Sequence, residues 1–173
     1  MKIDNWLEGH WALVLGASSG FGAEVSEALS EYGVNIIGVH LDRKGTMGNV
    51  EKIISKIESN GSKARFFNIN AADEEKRNLV LNEMMSAIGN DEKKIKILLH
   101  SLAFGSLKPY LSKDSSSNVT QKNMEMTMYV MANSIEYDIR GFPFRIFVFF
   151  PLSLLEFFLA GIIIINCELF III

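Results

Sequence analysis

The sequence predicts an α/β fold, a parallel sheet in three layers with helices on both faces. Two observations carry this expectation. Short apolar runs alternate with segments whose apolar residues recur at helical spacing. The first apolar run then passes into the first helix through a turn of small residues, GASSGFG at 16–22. Right-handed crossovers put the C-termini of all such strands at one edge. A ligand belongs there, near the switch in strand order.

Trp11–Leu15 (WALVL) is a short apolar run that suits a buried strand. Residues 23–31 follow as a helix, with Ala28 and Leu29 apolar and Glu24, Glu27 and Glu31 polar, and Gly33 fits its stop. Residues 35–39 read as the second strand and 41–48 as a polar connection. Residues 50–57 are helical, with Val50, Ile53, Ile54 and Ile57 on one face, and Gly61 ends the segment. Residues 64–69 are the third strand. Residues 73–88 form a helix whose inner stripe is Leu79, Val80, Met84 and Ile88. Residues 95–99 are the fourth strand, 112–118 (SKDSSSN) a polar loop, and 119–139 a long helix. RIFVFF at 145–150 starts a fifth strand in this reading.

In the turn, the first backbone N–H groups of a helix have no partner within it and can hold an anion. Gly16 makes the sharp turn, Gly20 lets a pyrophosphate approach the backbone, and Gly22 lets the helix pack closely on the sheet. Ser18 and Ser19 bring hydroxyl donors, and Phe21 lies between the last two glycines. The pattern is not a P-loop: Gly22 is followed by alanine and glutamate, with no lysine, so phosphoryl transfer is a poor reading.

Composition narrows the function classes. A formal net charge of −3 offers no basic field for nucleic acid. The one cysteine, Cys167, excludes an internal disulfide framework, and His10, His40 and His100 lie too far apart for a zinc motif. The start, MKIDNWLEGHW, has no apolar leader core, so a cytoplasmic location is expected. Residues 1–141 mix apolar and charged residues as a soluble domain does. Residues 142–173 carry only Arg145, Glu156 and Glu168 as charges, and eight of the twelve phenylalanines.

GASSGFG matches, in all three glycines, the GxxxGxG cofactor turn of the short-chain dehydrogenase/reductase family, and later sites match in order and spacing. Residues 8–140 therefore resemble the cofactor-binding half of that family. HSLAFGSLKPY and the methionine-rich helix after it look closer to its enoyl-reductase-like branch. The resemblance implies a Rossmann-like sheet and a dinucleotide, NADP or NAD. A carboxylate at Asp42 would accept the adenosine ribose hydroxyls and favour NAD, whereas Arg43 would pair with a 2′-phosphate. Arg43 and Lys44 side by side tilt the expectation to NADP, with His40 as a further partner. Asn70 and Ala71 match the family's adenine-contacting pair, with asparagine for aspartate. A helix-capping asparagine is the competing reading. Ser101, Leu102 and Ala103 match the run beside the cofactor ribose, with Ala103 and Gly105 permitting close backbone approach. His100, with no identifiable carboxylate partner, reads as structural. Lys108 and Lys113 flank a loop that could reach substrate, though surface solvation is the plainer role. Met124, Met126, Met128 and Met131 face the core or a second copy of the chain, giving a homo-oligomer through 119–139. Met131 stands where many family members have a relay asparagine, and Asn133 is close by.

The family's acid is a tyrosine four residues before a lysine, which lowers the phenol pKa. Tyr32, Tyr110, Tyr129 and Tyr137 are followed four residues later by Ile36, Asp114, Asn133 and Gly141, and no lysine follows Lys122. No catalytic residue is therefore assigned. The sheet is expected to be incomplete in its C-terminal half. The tail has three accounts: a truncated or frame-disrupted end, a diverged packing or interface segment, or a membrane-associated end. The last is disfavoured because any window long enough to span includes a carboxylate. The expectation is a dinucleotide-binding oxidoreductase-type chain that is catalytically incomplete, with a noncatalytic interaction protein as the alternative.

Overall fold

The structure, a computed structural model, describes residues 5–88, 95–133, 162–165 and 168–172. Ten main elements follow in order: β1 Trp11–Leu15, α1 Gly20–Glu31, β2 Asn35–His40, α2 Met47–Ser59, β3 Ala64–Asn68, α3 Glu74–Ile88, β4 Ile95–His100, α4 Gln121–Met128, β5 Ile162–Ile165 and β6 Glu168–Ile172. The strands form one sheet in the order β3-β2-β1-β4-β6-β5. Strands β1 to β4 and β6 are parallel, and β5 pairs antiparallel with β6 at the edge. The sheet is thus the expected parallel one, with a single antiparallel strand closing an edge. Two stretches of the apolar tail lie in it, β6 pairing with β4 from Ile97↔Leu169 to His100↔Ile172.

All of β1 is buried, which is why it reads as a continuous apolar run. Successive side chains serve opposite faces. Trp11, Leu13 and Leu15 join Ile37, Val39 and Leu98 under Val80 and Met84 of α3. Ala12 and Val14 join Ile36, Ile97 and Leu99 under Ala23 of α1 and Ile53 and Ile57 of α2. The result is a three-layer core with β1 at its centre.

Helix boundaries and faces depart from expectation in identifiable ways. Helix α1 begins at Gly20, inside the glycine turn, and buries Gly22, Ala23, Ser26 and Ser30, while Ala28 is exposed. A stripe of small residues brings the helix close to the sheet, and Ser26 satisfies its hydroxyl on the Gly22 carbonyl at 2.7 Å. Helix α2 buries Val50, Ile53 and Ile57 as expected, and Ile54 is half-buried. Helix α3 starts from Asp73, whose carboxylate accepts from the Lys76 N–H at 3.2 Å. Its inner face carries Arg77, Val80 and Met84, and Leu79 points to solvent at 65% exposure. Arg77 replaces the expected leucine by donating to the Ala71 carbonyl at 2.8 Å. The segment expected as one long helix opens on a Thr120–Asn123 capping box, is α-helical over Gln121–Met128 and passes into a π-turn, Tyr129–Asn133. Its continuation to 139, the fifth strand at 145–150, and Arg145, Glu156 and Cys167 lie outside the described residues. Among the described residues, no helix is long and apolar enough to cross a membrane.

Candidate functional site

The strand register puts Leu15 beside Val39 and His100, and His40 beside Asn68, so β1 to β4 all end at one edge. The glycine turn leaves β1 at that edge. Its neighbours are β2 on one side and β4 on the other, so it sits where the strand order changes direction. Both neighbours hold it. The Gly16 and Ala17 N–H groups donate to the Val39 carbonyl at 2.8 and 3.1 Å, and the Ser101 N–H donates to the Leu15 carbonyl at 2.8 Å.

The three glycines meet different constraints. Gly16 has φ +87°, and a Cβ there would collide with the Ser101 carbonyl. Gly22 has no room for a Cβ because the Gly16 carbonyl lies against it, so its close packing is against the turn itself. Gly20 has φ +54° and open space on its outer side. Ser19, Gly20 and Phe21 are all exposed, and Ser19 makes no side-chain cap to the start of α1. The open space and the uncapped helix start leave backbone amides available to an anionic group.

Asp42 and Arg43 lie just past β2. Asp42 is half-buried, with 16% of its side chain exposed, and Arg43 and Lys44 are exposed. The carboxylate has internal partners. The Ser18 and Thr46 hydroxyls, then the His40 ring, hold its pKa below the ordinary value against the opposing effect of burial. Thr46 Oγ1 donates to Oδ1 at 2.6 Å, and His40 Nδ1 lies 2.9 Å from Oδ2. Ser18, expected as a phosphate donor, lies near enough to the Asp42 carboxylate to lower its pKa. Its carbonyl accepts from Asn49 Nδ2 at 2.7 Å. Thr46, Asn49 and Asn68 were not singled out in the sequence. Thr46 lies four residues past Asp42, and its polarity there was the signal, whereas Asn49 and Asn68 meet partners far away in the chain.

Asn70 is exposed. Its side-chain oxygen accepts from the Ala72 N–H at 3.0 Å, so it makes the turn that precedes α3, while Asp73 takes the capping position. Ser101 and Leu102 are half-buried and Ala103 is exposed, along the far wall of the turn. Gly105 is approached by the Thr127 side chain of α4 and not by open space. His100 is 1% exposed, and burial lowers its pKa, so the ring is held neutral in the interior. Lys108 and Lys113 are exposed. Met124, Met128 and Met131 are also exposed, at 51%, 58% and 40%, so the described part of this segment does not bury them in the core. Among the described residues, no cluster of His, Cys, Asp or Glu could hold a metal ion.

The fold has many counterparts among solved structures. The L-sorbose reductase of Gluconobacter frateurii, solved with NADPH and L-sorbose, superposes with a TM-score of 0.61 at 18% identity, covering 78% of this chain and 46% of the reductase. A short chain dehydrogenase from Burkholderia cenocepacia J2315, in complex with NADP, gives 0.63 at 20% identity, over 78% and 50%. An NAD+-bound xylitol dehydrogenase gives 0.63 at 17% identity, over 79% and 47%. The chain spans about half the length of these proteins. No curated protein matches it in sequence. The family model for short chain dehydrogenases matches residues 10–138, most of the sequence and all of β1 to α4. The glycine turn at a parallel sheet's switch point is thus an inherited feature, and the chain belongs to the short chain dehydrogenase family.

Proposed function

We propose that this chain is the dinucleotide-binding part of an NAD(P)-dependent oxidoreductase, with residues 1–141 as the cofactor domain and 142–173 as an atypical apolar extension. The carrying observation is the open space outside Gly20, at an uncapped helix start facing the switch point. The pyrophosphate would lie over Gly16, Gly20 and Gly22, with Ser19 and Phe21 at its side. Asn70 would meet the adenine, and Ser101, Leu102 and Ala103 the nicotinamide-side ribose. A bound cofactor supplies hydride. The exposed pair Arg43 and Lys44 favours NADP over NAD, since a phosphate carries more charge than a ribose. HSLAFGSLKPY supports placing the chain near the enoyl-reductase-like branch. The exposed methionines of α4 support a homo-oligomer through that segment.

Isothermal titration with NADP and NAD tests the binding. Gly20→Asp places a side chain and a negative charge where the pyrophosphate should lie, and aspartate tolerates positive φ better than most residues. The variant is expected to stay folded and lose binding. Equal affinity in variant and parent would remove the site. A second reading, a noncatalytic interaction module, is favoured by one observation: no tyrosine in the sequence has a lysine four residues later. Measurable cofactor binding without turnover would fit a binding module, and no binding at all a scaffold.

A further inference from the structure

The two edges of the sheet are unlike. Strand β3 closes one of them, and charge guards it: Lys63 stands just before the strand, Arg65 lies within it, and both are exposed. Strand β5 closes the other edge. It reads IIII over Ile162–Ile165, without charge, proline or glycine, and the nearest charged residues in the chain are Glu156 and Glu168. On its inner side it pairs antiparallel with β6, from Ile162↔Ile171 to Ile165↔Glu168. On its outer side it meets no strand among the described residues. In an antiparallel pair, alternate residues turn their N–H and C=O groups toward the partner, and the others turn theirs away. Part of the β5 backbone therefore faces outward, where a further strand can bond it.

We propose that this edge is an interface between two copies of the chain, in which β5 of one pairs antiparallel with β5 of the other and the two sheets become continuous. The sequence of the strand selects this occupant. A two-fold contact needs a surface complementary to itself. An antiparallel pair centred between Ile163 and Ile164 sets Ile162 of one copy opposite Ile165 of the other, and Ile163 opposite Ile164. Every cross-strand pair is then isoleucine with isoleucine. β-Branched residues suit a pleated surface, and with no charge in the strand no like-charge pair opposes the approach. The same pairing at β3 would add the charges of Lys63 and Arg65 from both copies to one short seam. One edge is thus built to join and the other to stay apart. The contact is separate from the exposed methionines of α4, which lie outside the sheet.

Amide hydrogen exchange and sedimentation of the full chain over a concentration series test this. As concentration rises, the parent should sediment as a larger species. Exchange should slow at 162–165, with no matching change at 64–68, the other edge. Ile163→Lys and Ile164→Lys alter successive positions, and so opposite faces of the sheet, and each brings like charges together near the two-fold axis. Both variants should lose the slowing and the larger species, with the far-UV spectrum unchanged. Met124→Glu with Met128→Glu should keep the slowing at 162–165, and its loss there would place the contact on α4 and overturn the proposal. Exchange at 162–165 that does not vary with concentration would also overturn it, whether another part of the same chain already protects those amides or they stay open. So would equal slowing at both edges, or association that survives both lysines. The exchange of the unaltered chain decides the matter by itself if neither lysine variant folds.

Discussion

At Gly16 two demands coincide, a φ of +87° and the Ser101 carbonyl in the space a Cβ would fill. At Gly20 only the first applies, with φ +54° and open surroundings. Gly20→Ala should therefore cost about 1 kcal/mol, the strain of a left-handed backbone. Gly16→Ala should cost about 3 kcal/mol or more, because β1 and β4 cannot both keep their places. Chemical denaturation of the two variants checks this, and equal losses would mean that the β1–β4 approach is not tight. His100 supplies a pH dependence. It is buried, and its pKa is lowered by desolvation. As pH falls through about 6.5, the unfolded chain takes up a proton at this histidine before the folded chain does. Stability from a neutral His100 is thus full above that pH and declines as the solution becomes more acidic. His100→Gln should show a shallower decline between about pH 6.5 and 5 than the parent, read from denaturation midpoints. Identical slopes would mean that the ring does not stay neutral. The three glycines were legible because a sequence motif records backbone need directly. The nearness of Ser18 to Asp42 was not legible, since the two meet only after β2 has been laid beside β1.

Among the elements, legibility followed burial on both faces. The central strand β1 was read without error because every residue in it is buried. Helix α3 was harder. Its inner face uses a buried arginine, Arg77, whose guanidinium is satisfied by a backbone carbonyl, so a hydrophobic stripe placed Leu79 inside when it lies outside. Helix α1 concealed its face in small residues, since Ser26 and Ser30 are buried and Ala28 is not. The segment α4 raises a different matter. Its capping box fixes where it starts, yet its methionines find no core among the described residues. With Tyr110 at 73% and Leu111 at 82% exposure, they line an open apolar groove. Such surface is costly to leave in water and favours a partner. If a second copy covers it, Met124→Glu with Met128→Glu should shift the chain toward monomer in analytical ultracentrifugation, with the far-UV spectrum unchanged. A parent already monomeric at high concentration would remove this interface.

Over the whole molecule, the sheet brings a glycine turn, an engaged carboxylate with two exposed cations, and the β4 end to one edge. That arrangement suits holding a dinucleotide, and reduction asks for more. When hydride reaches a carbonyl or a conjugated enoyl group, negative charge develops on oxygen and must meet a positioned donor or proton. In the family this chain belongs to, a tyrosine with a nearby lysine would serve, and none of the four tyrosines has a lysine four residues later. His100 is no substitute: it is buried and held neutral, one residue before the stretch proposed to meet the ribose. The two tail strands extend the sheet past β4, and they bring only Glu168 as a charged residue. The 173-residue chain is therefore expected to bind NADPH without turning it over. Mixed with enoyl thioesters or small carbonyls, it should leave the NADPH absorbance falling at the rate seen without protein. Substrate-dependent oxidation that disappears in Gly20→Asp would overturn this expectation, because it would require a proton donor among residues given no such role here.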